Sequence, residues 1–201
     1  MAVPCSVIAS ITTTLDGHTT GPGGRYEMSC IASHGVSDQA RHALVTMTSA
    51  TAVLLGRRTY EGFGGYWPSV AADDGADPRD RAFARWLNDV DKVVFSTMLH
   101  QLDWDNARLA EQGPVETVAA LRETDGGDIR VLASQSILRQ LLDADEVDRL
   151  ELTLAPEVAG GGDRLFNDGV TPSRWSLADA VPTDTGPVQL SYRRTFRGDS
   201  R

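Results

Sequence analysis

The sequence has little cysteine, little lysine, few aromatic residues and no long apolar run. Its two cysteines, Cys5 and Cys30, form no CxxC pair, so the common thiolate patterns for zinc or disulfide exchange are absent. Both read as small buried apolar side chains. The histidines, His18, His34, His42 and His100, include no i, i+4 pair around a glutamate, so no metal site is expected. No apolar stretch approaches the roughly 20 residues that a membrane helix needs. Met1-Ala2-Val3-Pro4-Cys5-Ser6 lacks the basic start and apolar core of a signal peptide. The expectation is a cytoplasmic protein that contacts no membrane. Positive charge is outnumbered, with 19 Lys and Arg against 28 Asp and Glu and a net charge of −9. This balance opposes nucleic-acid binding, which rests on neutralising phosphates. It leaves room for a small phosphorylated ligand held by a local pair of cations.

What is present suits one domain over residues 1–201, with 41% hydrophobic and 23% charged residues. A chain of this size buries enough surface to need no disulfide or metal staple. Neither an internal repeat nor a low-complexity tract interrupts it. Short β-branched runs alternate with helical periods. Strands are predicted at 7–14, 52–55, 92–96, 129–132 and 149–154, and helices at 37–49, 78–88, 114–123 and 136–142. Ser37 is a candidate N-cap, and Pro78 stands at a helix start. This alternation implies βαβ units and a mainly parallel sheet. Two further strands, 175–181 and 188–196, follow with only Asp184-Thr185-Gly186-Pro187 between them, which predicts an antiparallel pair at one edge.

Four predicted strand ends could hold a ligand, since open α/β sheets bind ligands at the carboxyl ends of their strands. Asp16, in Leu15-Asp16-Gly17-His18, could orient a ring nitrogen by a charge-assisted hydrogen bond, or simply make a turn. Gly56-Arg57-Arg58-Thr59 could present two arginines and a helix N-terminus to a phosphate, or a solvated arginine pair. Ser96-Thr97 could donate hydroxyls or cap a turn, and Ala133-Ser134-Gln135-Ser136 could take a pyrophosphate or form an ordinary N-cap. Phosphate-friendly turns after three successive strands carry more information than any one of them.

Several segments together resemble the dihydrofolate-reductase-like family, of the RibD C-terminal-domain type. They are Ser10 to His18, which ends in Leu15-Asp16-Gly17-His18; Gly56-Arg57-Arg58-Thr59-Tyr60-Glu61; Lys92-Val93-Val94-Phe95-Ser96 followed by Leu99 and Trp104-Asp105-Asn106; and Val147 to Phe166 with its Gly160-Gly161-Gly162 run. The resemblance implies a three-layer α/β/α fold, mostly parallel, with an antiparallel C-terminal edge. It also implies hydride transfer from NADPH to a pteridine- or pyrimidine-type heterocycle, and a homodimer.

By the same resemblance, Gly56, Arg57, Arg58 and Thr59 would hold cofactor phosphates and Ser96 the 2′-phosphate, beside Thr97. Ala133, Ser134 and Gln135 would approach the pyrophosphate, and Ala9 the nicotinamide. Asp16 would sit beside the substrate ring as the catalytic candidate that orients or protonates it. His18 and His34 are further, weaker substrate-site candidates, each more simply read as an exposed loop histidine. Trp67 could stack on a ring or pack in the core. Two positions depart from the family. Ala133 stands where members usually have glycine, which permits a positive φ that Ala resists. Thr97 stands where many have Arg or Lys, so NADH is not excluded. The alternative to a reductase is a pterin- or flavin-type ligand-binding protein, or a non-redox enzyme of a specialised pathway, that kept the fold and lost dinucleotide binding.

Overall fold

The β-branched runs do form strands, and the short apolar runs of 52–55 and 92–96 lie inside the sheet, each with a strand on both sides. In the computed structural model, which describes residues 5–24, 27–32, 34, 37–124 and 127–195, eight strands make one sheet. They are β1 (Val7–Thr14), β2 (Ala52–Gly56), β3 (Asp91–Phe95), β4 (Ala107–Leu109), β5 (Ile129–Leu132), β6 (Arg149–Ala155), β7 (Trp175–Pro182) and β8 (Val188–Arg194). Their order across the sheet is β4-β3-β2-β5-β1-β6-β8-β7. Every pairing from β4 to β6 is parallel, whereas β6–β8 and β8–β7 are antiparallel. All four residues of β5 are buried, as expected of a strand covered on both faces.

Helices cover both faces of the sheet. The helices are α1 (Ser29–Ala32), α2 (Asp38–Met47), α3 (Arg57–Ala72), α4 (Pro78–Asp89), α5 (Pro114–Thr124) and α6 (Gln135–Asp143). On one face Val7, Ala9, Leu54 and Val131 meet Val118 of α5 and Ile137, Leu138 and Leu141 of α6. On the other, Val53, Leu55 and Val94 meet Tyr60 of α3 and Phe83 and Leu87 of α4. Ser37 caps α2, its Oγ accepting from the Ala40 amide at 3.0 Å. Asp77 caps α4 by accepting from the Arg79 amide at 2.9 Å, with Pro78 at the first helical turn.

The second core hides the single lysine of the sequence. Lys92 is fully buried, and its Nζ donates to the carbonyls of Leu87, Asn88 and Val90 at 2.8, 3.0 and 2.8 Å. It also lies 5.0 Å from the centre of the Trp104 ring. Three converging carbonyls at the end of α4 suit a compact ammonium with three donors better than a planar guanidinium.

Four features differ from the sequence reading or extend it. A short parallel strand, β4, extends one edge, and the four-residue helix α1 follows β1. Helix α3, whose start was expected near Arg57, runs for 16 residues through Gly62, Gly64, Gly65 and Pro68, which ordinarily disfavour a helix. The absence of a Cβ at Gly64 admits the Trp104 indole, which a Cβ would meet at 3.3 Å. Strand β8 ends at Arg194, and Phe196 lies outside the described residues.

Candidate functional site

A cleft of about 1000 Å³ opens where the carboxyl ends of β1, β2, β3 and β5 meet the starts of α3 and α6. Strand β5 lies between β1 and β2, so the chain reverses its winding at this point, the usual place for a ligand crevice. Neither helix start carries a side-chain cap. Gly56 precedes α3 with no capping hydrogen bond, and neither does Ser134 cap α6. The Ser134 hydroxyl is instead turned across the cleft floor. It accepts from the Gly56 amide at 2.9 Å and donates to the Leu132 carbonyl at 2.7 Å. Thr59 Oγ1 donates to the Ala133 carbonyl at 3.1 Å. These bonds lock the two turns together and bring both helix starts, whose amide dipoles favour an anion, to one cleft. Ala133 adopts a positive φ of 45°, so the turn keeps a glycine-like backbone without glycine. Gln135 Nε2 also borders the cleft, shielded from solvent and without a hydrogen-bond partner.

The charged residues that line the cleft are Arg57, Arg58, Arg139, Arg164 and Asp163. Arg57 Nη1 donates to both carboxylate oxygens of Glu61 at 3.1 Å, one turn along α3. Arg58 Nη1 donates to Asp163 at 3.2 Å. The Ser96 hydroxyl makes a turn, accepting from the amides of Met98 and Leu99 at 3.0 Å each. Its lone pairs are thereby used, and its proton remains free to donate. Thr97 borders the cleft beside it. Apolar walls come from Ile11 of β1, Met28 and Ile31 at α1, Phe63 of α3 and Phe95 of β3.

The structure therefore brings together Gly56, Arg57, Arg58, Thr59, Ser96, Thr97, Ala133, Ser134 and Gln135. It puts the other sequence candidates elsewhere. Ala9 is buried below the cleft, between Val131 and Leu150; Ile11 and Thr12 reach the cleft instead. Asp16 is not among the lining residues, because its carboxylate clasps the 156–165 loop. It accepts from Thr14 Oγ1 at 2.6 Å and from the Ala159 and Gly160 amides at 3.0 and 2.8 Å. The Thr14 hydroxyl, then the two amides, hold this carboxyl well below the usual carboxylate range. His18 is buried with Nδ1 3.2 Å from Asp16, and His34 lies 3.4 Å from Glu157. Trp67 joins the second core, 4.7 Å from the Phe83 ring centre.

The same loop needs a glycine at one position. Gly162 has a φ of 109°, and a Cβ there would fall 2.2 Å from the Thr20 carbonyl oxygen. This close approach carries Asp163 and Arg164 to the cleft. Neither residue stood out in the sequence, nor did Arg139 or Asn167. Arg139 had a readable signal, since it follows Gln135 by four residues on one face of α6. Arg164 had none, because only the loop's pairing with residues 17–20 brings it in.

This fold, an α/β/α sandwich with a parallel sheet closed by antiparallel C-terminal strands, is that of the dihydrofolate-reductase-like proteins. Dihydrofolate reductase from Enterococcus faecalis, solved in complex with NADP(H) and RAB-propyl, matches with a TM-score of 0.59 and 16% identity over 95% of this chain and 97% of that one. A pyrimidine reductase-like protein from Corynebacterium diphtheriae matches with a TM-score of 0.63 and 16% identity, covering 96% of this chain and 92% of its own. The RibD C-terminal domain model matches residues 5–188, and the chain belongs to that family. The uncharacterized protein YyaP of Bacillus subtilis (strain 168) is 24% identical over 188 residues, which cover 92% of this chain and 93% of YyaP.

Proposed function

We propose that the protein is an oxidoreductase that reduces a small heterocyclic compound with NADPH. One observation carries this reading. Two uncapped helix starts, locked together through Ser134, face one cleft that also has apolar walls. The amides suit a pyrophosphate, and the walls suit flat rings. The residues fit the cofactor: the orphaned Gln135 Nε2 lacks only an acceptor, and the Ser96 hydroxyl retains a donor. In this reading Arg57, Arg58, Thr59, Ser134 and Gln135 hold the cofactor phosphates, and Ser96 with Thr97 meets the adenosine end. The bound nicotinamide would supply the hydride. The chain's own part is to orient the two rings and exclude water, with Ile11, Met28, Ile31 and Phe63 as the apolar surround. Asp16 serves as the clasp of the 156–165 loop, which leaves Asp163 as the carboxylate that borders the ligand. The alternative without a dinucleotide drew its support from Ala133. Its φ of 45° favours the reductase, because the turn is kept despite the methyl group.

The dimer expected from the resemblance has a candidate surface in β7, a sheet edge with Leu177 and Val181 exposed. The test of the function is calorimetric and tryptophan-fluorescence titration with NADPH and, separately, NADH. Micromolar NADPH binding, weakened about tenfold by Arg58→Ala, is expected. Failure of both nucleotides to bind at millimolar concentration overturns the reading.

A further inference from the structure

The two arginines that open α3 are both paired with carboxylates, but in different ways. Glu61 lies one turn along the same helix from Arg57, so that pair is local to the helix. Asp163 comes to Arg58 from 105 residues away, so that pair exists only because the fold builds it. The Asp163 backbone is held at three points. Its amide donates to Thr20 Oγ1 at 2.8 Å, and its carbonyl accepts from the Thr19 amide at 2.8 Å and from Thr19 Oγ1 at 3.1 Å. Gly162 just before it, and Asp16 on the Ala159 and Gly160 amides, fix the approach of the loop. Among the described residues the Asp163 carboxylate has one hydrogen bond, from Arg58 Nη1 at 3.2 Å, and the Arg58 side chain has no other partner. Both residues line the cleft, one from the start of α3 and one from the loop after β6. Carboxylate and phosphate offer a guanidinium fork the same chemistry, charged oxygens in a plane or a tripod. A phosphate on Arg58 would meet the Asp163 carboxylate as a like charge at short range.

We infer that Asp163 is a built-in competitor for the phosphate at Arg58: its carboxylate holds the guanidinium until a ligand phosphate displaces it. This is a regulation of the site described above and rests on the reductase reading, which gives Arg58 to a cofactor phosphate. The displacement is a side-chain movement, because three hydrogen bonds keep the Asp163 backbone in place. The two side chains are 40% and 35% exposed, so the pair is weak. A phosphate brings more charge and more oxygens, and it also gains the amide dipoles at the start of α3. It therefore displaces the carboxylate, but binds less tightly than it would at an uncontested arginine. Glu61 has no such role, since its pair with Arg57 ties α3 only to itself.

The test is a double-mutant cycle on Arg58 and Asp163. Wild type, Asp163→Asn, Arg58→Gln and the double variant are titrated by calorimetry with NADPH and, separately, with inorganic pyrophosphate. Asparagine keeps the size of the side chain and all three backbone bonds, and thermal unfolding checks that each variant is folded. Asp163→Asn is expected to tighten both ligands by about two- to fivefold, the scale of one exposed ion pair. Asp163→Glu, which keeps the charge, should stay near wild type. In the Arg58→Gln background Asp163→Asn should change little, because no guanidinium remains to contest. Unchanged or weaker binding in Asp163→Asn overturns the proposal. So does equal tightening with and without Arg58, which would be general repulsion of an anion by a nearby carboxylate. If wild type binds pyrophosphate but not NADPH, the reductase reading falls by itself, and the pyrophosphate cycle still decides the role of Asp163. If none of the four proteins binds either ligand, there is no phosphate for Asp163 to contest, and both fall.

Discussion

Ala133 holds a backbone conformation that its own methyl group opposes. A left-handed φ costs a non-glycine residue roughly 1–2 kcal/mol. The conformation survives because the turn is held from both sides. The Ala133 amide donates to the Ser10 carbonyl at 2.9 Å, and its carbonyl accepts from Thr59 at 3.1 Å. Replacing it with glycine removes the strain but frees the unfolded chain, which offsets roughly 0.5–1 kcal/mol. Ala133→Gly should therefore raise the unfolding free energy by about 0.5–1 kcal/mol, read from urea midpoints. It should leave NADPH binding intact or tighter. A lower midpoint would mean that the methyl group packs usefully. At this scale the sequence was only partly legible. The departure at Ala133 could be seen, and so could its need for a positive φ. The role of Asp16 could not, because its amide partner Gly160 lies 144 residues further along the chain. An aspartate before glycine looks the same whether it faces a ligand or clasps a loop.

At the scale of elements, strands and helices with clean periods were legible, and those shaped by tertiary contacts were not. Strand β4 is three residues long and carries no pattern of its own; Lys92 and Val94 tie it to β3. Helix α3 defies its glycines and Pro68 because Tyr60, Phe63 and Trp67 pack into the second core. The end of α4 depends on Lys92, which read simply as a strand residue. Its three carbonyl partners would lose their donor in Lys92→Met, a cost of roughly 2–4 kcal/mol. The substitution also alters the pH dependence. Burial lowers the Lys92 pKa from 10.5 to about 8. Between those values the unfolded chain binds a proton that the folded chain does not, so stability rises with pH. This contribution is complete above about 10.5 and is lost as pH falls through about 8. The stability difference between wild type and Lys92→Met should therefore grow from pH 8 to 10.5, as read by urea unfolding. A flat difference would show that the carbonyl cage holds the ammonium charged throughout.

At the scale of the whole molecule the two sheet edges are unequal. At one, β4 is three residues long, and Arg108 pairs with Asp91 at 3.5 Å, so it offers a neighbour little to pair with. At the other, β7 runs for eight residues and is exposed from Ser176 to Pro182. Leu177 is 55% and Val181 36% exposed, although sheet-edge positions normally carry charge. Asp179 and the bulge between Leu177 and Asp179 interrupt the strand, which disfavours open-ended stacking but not a closed pair. The proposed homodimer would cover this edge with a second copy, since a two-fold axis puts the same strand against itself. Light scattering at micromolar concentration should then give twice the chain mass of 21.7 kDa. Leu177→Lys/Val181→Lys should return it to the single-chain mass with the unfolding midpoint of the isolated subunit unchanged, because neither side chain is buried within one chain. The cleft opens at the carboxyl ends of β1, β2, β3 and β5, away from this edge, so NADPH affinity should persist in the monomer. A wild type that runs as a single chain would remove the dimer. A variant monomer that loses NADPH binding would instead mean that the second copy helps to build the cleft.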